Sequence, residues 1–82
     1  MNLSHLKYFQ TVARMEHYSE AAKVLYISQP SLSSAMTKLE EELGVELFSK
    51  TGRNIKLTEN GKIFLDYVNE ALVVLEKGVD HV

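Results

Sequence analysis

Between Gln29 and Lys38, six side chains can hydrogen-bond outward: Gln29, Ser31, Ser33, Ser34, Thr37 and Lys38. Four of them are hydroxyls, each able to donate or accept, and small enough to let the backbone behind them approach a surface. An amide such as Gln29 pairs bidentately with an adenine edge, and an ammonium such as Lys38 meets a phosphate or a guanine. Arg53, in the turn Gly52-Arg53-Asn54, reaches a phosphate or a narrow minor groove. Other chemistries find less support. His5, His17 and His81 share no motif, and Ser31 to Ser34 have no base beside them to activate a nucleophile. Glu40, Glu41 and Glu42 sit ~100° apart around a helix and point in three directions. With no cysteine, disulfides and thiolate metal sites are excluded. No catalytic residue, metal site or cofactor is expected in this chain.

The elements that must carry these side chains follow from apolar spacing. Leu3, Leu6, Phe9, Val12 and Ala13 recur at helical period, which predicts a helix from Leu3 to Met15. After a break at Glu16-His17-Tyr18, Ser19 is read as the N-cap of a short second helix through Leu25. Ser28 caps a third, with Pro30 in its first turn, where the missing N–H costs nothing. Behind it Leu32, Ala35, Met36, Leu39 and Leu43 form one narrow apolar stripe, and Gly44 stops the helix. Pro30, Ser34, Thr37 and Glu41 lie on its opposite face, flanked by Ser31, Ser33 and Lys38.

Val45–Phe48 and Ile55–Leu57, around the turn-forming stretch from Ser49 to Asn54, predict a β-hairpin. Thr58 caps a long last helix with two apolar stripes. Phe64, Val68, Ala71 and Leu75 make a 3.5-residue seam that is the expected dimerisation surface, at the partner or just beside it; Ile63, Tyr67 and Val74 make the other stripe. Two stripes call for two partners, the chain's own domain and a second copy. Two short helices joined by a tight turn, the second with a small-polar outer face, form a helix-turn-helix unit, and the hairpin behind them a wing.

Eighty-two residues make one small domain. The longest apolar run, Ala71 to Leu75, is five residues, against roughly 20 for a bilayer span. No signal peptide is visible, so the chain reads as soluble and cytoplasmic. A net charge of −2 speaks at first against nucleic acid. Residues 1–57, however, carry seven basic against six acidic side chains, and the acidity is concentrated in residues 58–82, with two against five. Local charge governs phosphate contact. Blander readings remain beside these: a solvated serine face, Lys38 paired with Glu41 or Glu42 along the helix, Arg53 as a mere turn residue, and Lys50 and Lys56 as solvating charges. The rival function is a protein-interaction module, since winged folds serve both.

From Leu6 to Leu65 the chain resembles the N-terminal DNA-binding domain of LysR-type transcriptional regulators. The residues that carry the resemblance are Leu6-Lys7-Tyr8-Phe9, Ser19-Glu20-Ala21-Ala22, Ser28-Gln29-Pro30-Ser31-Leu32-Ser33, the stretch Leu39 to Phe48, Gly52-Arg53, and Leu57-Thr58-Glu59-Asn60-Gly61. The resemblance implies a mainly α winged helix-turn-helix over 1–57, with a three-helix core and a hairpin wing. It implies a linker and dimerisation helix over 58–82, double-stranded DNA as the ligand, and a homodimer on an inverted repeat, with a tetramer for a full-length protein. It also implies an effector domain absent from this chain, which would sense a small-molecule coinducer. Base contacts then fall on Gln29, Pro30, Ser33 and Ser34; phosphate contacts fall on Ser28, Ser31, Thr37 and Lys38, and the wing arginine on Arg53. Ser34, Ala35 and Thr37 depart from the long basic or amide side chains common there, which implies fewer contacts to phosphate or guanine.

Overall fold

A computed structural model describes residues 1–52 and 54–82. Among the described residues the order is α1 (Leu3–Met15), α2 (Tyr18–Leu25), α3 (Gln29–Leu43), β1 (Phe48–Thr51), β2 (Asn54–Leu57) and α4 (Glu59–His81). This is a mainly α winged helix-turn-helix, with three helices, a two-stranded antiparallel hairpin and a long last helix.

Each helix starts where a side chain accepts a free first-turn N–H. Asn2 accepts from His5 N at 2.8 Å, Ser28 Oγ from Ser31 N at 3.2 Å, and Thr58 Oγ1 from Gly61 N at 3.0 Å. The start of α2 differs from expectation. Glu16 adopts the left-handed conformation (φ 52°) and closes α1, which turns the chain so abruptly that His17 is already the extended cap residue. Its imidazole Nδ1 accepts from Glu20 N at 3.2 Å, so Ser19 lies inside the helix and does not cap it. Tyr26, also left-handed (φ 57°), ends α2, and two residues later Ser28 begins α3. Gly44 (φ 73°) ends α3 as expected.

The first strand also falls later than expected, at Phe48–Thr51 instead of Val45–Phe48. One carboxylate accounts for the shift. Glu40 Oε2 accepts from both Leu47 N (2.7 Å) and Phe48 N (3.3 Å), which holds the chain against α3 until Phe48 can pair with Leu57. The register runs to Thr51 opposite Asn54, around a turn begun by left-handed Gly52 (φ 63°). Glu16 secures the other strand: its carbonyl accepts from Ile55 N and its carboxylate from Leu57 N, both at 3.4 Å.

The core joins Phe9 and Val12 of α1, Ala21 and Ala22 of α2, and Leu32, Met36 and Leu39 of α3 to Leu47, Phe48 and Ile55. Phe9 stands at its centre, 5.5 Å from the rings of both Phe48 and Phe64. Phe64 thus packs into the chain's own core, and Val68 is buried beside it. Those two positions of the expected dimerisation seam face α1, because the first turns of α4 complete the domain that the hairpin leaves open. Ala71 and Leu75, farther along, are exposed. The stripe of Ile63, Tyr67 and Val74 is exposed as well, at 54, 67 and 65%. Helix α4 outruns the core, and the molecule measures 45 × 27 × 19 Å.

Candidate nucleic-acid interface

Helix α3 buries Leu32, Ala35, Met36 and Leu39 and turns the opposite face outward. Ser28, Gln29, Pro30, Ser31, Ser34, Thr37 and Lys38 are exposed, and Ser33 is half-buried. The fold thus brings the expected side chains of this helix onto one surface. It also divides them. Gln29, Ser33 and Thr37 border the hollows between α3 and the hairpin, whereas Pro30, Ser31, Ser34 and Lys38 border a hollow towards the start of α1.

Hydrogen bonds already orient part of this face. Gln29 Nε2 donates to Ser33 Oγ at 3.1 Å, one turn along. Ser28 Oγ accepts from Ser31 N and donates to Ser31 Oγ at 2.8 Å. Lys38 makes no ion pair with Glu41 or Glu42 among the described residues; the carboxylate of Glu42 takes the amino group of Met1 instead. The ammonium is therefore available to a ligand. Arg53 lies outside the described residues, so its expected contact stays an expectation.

Two residues border the same surface that are not among the expected contacts: Lys50, read from the sequence as a solvating charge, and Tyr18. Lys50 of β1 lines both hollows between α3 and the hairpin, next to Thr37 in one and Gln29 in the other. Tyr18 sits behind it, its ring 6.1 Å from Phe48. Burial, and secondarily the negative charge of Glu40, push its phenol up to about 12, so it is neutral at any physiological pH and offers a hydroxyl. Strand alternation was the one available signal for Lys50, because it puts Lys50 on the same face of β1 as Phe48, two residues earlier. Tyr18 gave no such signal once the start of α2 had been misplaced.

Among the described residues no three His, Cys, Asp or Glu side chains come together to hold a metal, and no helix is long and apolar enough to cross a membrane.

Comparison with known proteins agrees with this geometry. The profile described as bacterial regulatory helix-turn-helix protein, lysR family, matches residues 3–62. The chain is 44% identical over 82 residues to the uncharacterised HTH-type transcriptional regulator YybE of Bacillus subtilis (strain 168), covering 100% of this chain and 28% of that protein. It is 42% identical over 80 residues to the HTH-type transcriptional regulator AlsR of the same organism, covering 98% of this chain and 26% of that one. The chain thus spans little more than a quarter of the length of these relatives. Among solved structures it is similar to a CbnR_DBD–DNA complex, with a TM-score of 0.94 and 37% identity over 99% of this chain and 93% of that one. Similarity to full-length BenM is nearly as high, with a TM-score of 0.90 and 38% identity over 98% of this chain and 26% of that one. The chain belongs to the lysR family of bacterial regulatory helix-turn-helix proteins.

Proposed function

We propose that this chain reads double-stranded DNA sequence-specifically, as the DNA-binding part of a bacterial transcriptional regulator. One observation carries the reading. The polar face of α3 stands clear of the core beside the hairpin, with Lys38 in no ion pair among the described residues, in a fold similar to one solved on DNA. Helix α3 enters the major groove, where the N-terminal part of a recognition helix meets base edges. Gln29, Pro30, Ser33 and Ser34 face the bases. Ser28, Ser31, Thr37 and Lys38 hold phosphates, and Arg53 follows the hairpin to the flanking groove.

Two chains pair through α4, the linker helix over 58–82, so that a two-fold axis calls for an inverted repeat. The exposed stripe of Ile63, Tyr67 and Val74 supports that pairing, with Ala71 at its edge. The additional length of the relatives leaves room for a domain that senses a small-molecule coinducer and changes the angle between subunits. Such a protein works where the chromosome is, in the cytoplasm.

Selection from a randomised duplex pool at low and moderate salt tests the reading. An enriched inverted repeat, with half-sites about one helical turn or more apart, is expected, together with affinity that falls steeply as salt rises. A random pool with salt-insensitive retention would overturn it in favour of a protein partner.

A further inference from the structure

The hollow on the α1 side of α3 contains a residue to which nothing above gives a role. His5 lines it with Pro30, Ser31, Ser34, Ala35 and Lys38, and no carboxylate contributes to its wall. We propose that His5 joins Ser31, Ser34 and Lys38 in one cradle for a backbone phosphate of the bound duplex. The inference rests on the DNA-reading function and adds α1 to the DNA contact.

The hydrogen-bond pattern leaves these groups as unspent donors. Ser28 Oγ accepts the Ser31 N–H and donates to Ser31 Oγ, so the Ser31 proton is free to point outward. Ser34 and Lys38 have no partner among the described residues. Ser31, Ser34 and Lys38 follow one another at spacings of three and four and form a strip along the helix.

His5 completes the set. Its Nδ1 is sealed from solvent and has no hydrogen-bond partner among the described residues. A buried N–H without an acceptor is rarer and costlier than a bare acceptor, so the proton belongs on Nε2, which makes the accessible nitrogen a donor. Two hydroxyls, an imidazole N–H and an ammonium around one open hollow suit the non-bridging oxygens of a phosphodiester. They suit an adenine or cytosine edge less, because each of these presents a donor. In this cradle Ser34, otherwise one of the expected base contacts, turns its hydroxyl to the backbone.

The test uses a selected duplex in which neutral methylphosphonates replace the phosphates one at a time. At one position per half-site the replacement should weaken the wild-type chain about tenfold. The same replacement should weaken neither His5→Ala nor Lys38→Ala further, as expected of groups that share one contact. Lys38→Ala should lower the salt slope by about one, and His5→Ala should lower affinity for the same duplex. His5→Gln, which keeps a donor, should recover part of the affinity and exclude simple misfolding as the cause. Full methylphosphonate sensitivity in His5→Ala at every position overturns the cradle.

A saturable shift of the His5 ring signals on titration with inorganic phosphate alone, without that coupling, assigns the hollow to a free anion and also overturns it. Failure of the wild type to bind any duplex is a different result: it removes the DNA-reading function itself.

Discussion

Gln29 is the first residue of α3, and its side-chain amide is not loose. Donation from Nε2 to Ser33 Oγ ties the amide to the next turn and leaves Oε1 and the second N–H for a ligand. That donor–acceptor pair is what an adenine edge requires. Gln29→Ala should therefore cost about 1–3 kcal/mol on a selected site and relax one position of its consensus, while affinity for random duplex holds. Equal losses on both duplexes, measured by fluorescence anisotropy, would remove Gln29 from the base readers.

Tyr18 shows a different residue-level effect. Its phenol titrates at about 12 in the folded chain against about 10 in an unfolded one, so the native state holds the proton more tightly. Between those values the unfolded state binds fewer protons, and stability falls as pH rises. The contribution is complete below pH 10 and lost by about pH 12. Urea titrations of the wild type and Tyr18→Phe should run in parallel up to pH 10, and then the wild type should lose stability faster.

At the scale of elements, the parts of the fold legible in the sequence are those set by apolar period and by cap chemistry. The third helix ends where Ser28 and Gly44 predict, and α1 spans Leu3 to Met15. What escaped the sequence depends on contacts between distant residues or on backbone conformations open to any residue type. Nothing in the composition of Glu16 announces a left-handed residue, yet that conformation moves the cap from Ser19 to His17. Nor does a glutamate within a run of three announce that it accepts two N–H groups from the next segment, yet Glu40 sets where β1 begins. The polar face of α3 could be read from spacing, but its division between an α1 side and a hairpin side needed the packing.

Gly61 illustrates the same limit. Within a helix, alanine is favoured over glycine by roughly 1 kcal/mol. At Gly61 a Cβ would stand 2.2 Å from the carbonyl oxygen of Leu47 and 2.9 Å from Leu57 Cδ2. The carbonyl is held by Thr58 N at 2.9 Å and has no room to withdraw. Gly61→Ala should destabilise by about 1–3 kcal/mol, the range for overpacking. Gly78→Ala, where a Cβ meets nothing within 4 Å, should stabilise by up to about 1 kcal/mol. Thermal melts of the two variants should shift in opposite directions; a rise in both would mean that the start of α4 is not pinned to the loop before the hairpin.

For the whole molecule, α4 serves two surfaces in succession. Its first turns belong to the domain: Phe64 and Val68 pack on α1, and Gln10 Nε2 donates to Asn69 Oδ1 at 2.8 Å. Past Leu72 the helix leaves the core, and Val73, Val74, Leu75 and Val79 are half exposed or more. Ile63, Tyr67 and Val74 lie on a single line along the outer side, spaced by four and seven, which is the period of a helix-pairing seam. A chain with so small a core gains little from leaving such side chains in water, and pairing two copies through this line removes them from it. The prediction separates the two stripes of α4. Val74→Glu should convert a dimer into a monomer in sedimentation velocity without lowering the melting temperature of the monomer, because Val74 contributes nothing to the core. Val68→Ala should lower that melting temperature, by about 0.5–3 kcal/mol in stability, since it empties buried volume, and leave the paired surface intact. If Val74→Glu still sediments as a dimer, pairing moves to the side of α4 that overhangs the cleft beside α1, where Leu75 and Val79 face Leu3 and Leu25 across the gap. Leu75→Glu would then be the variant that dissociates it.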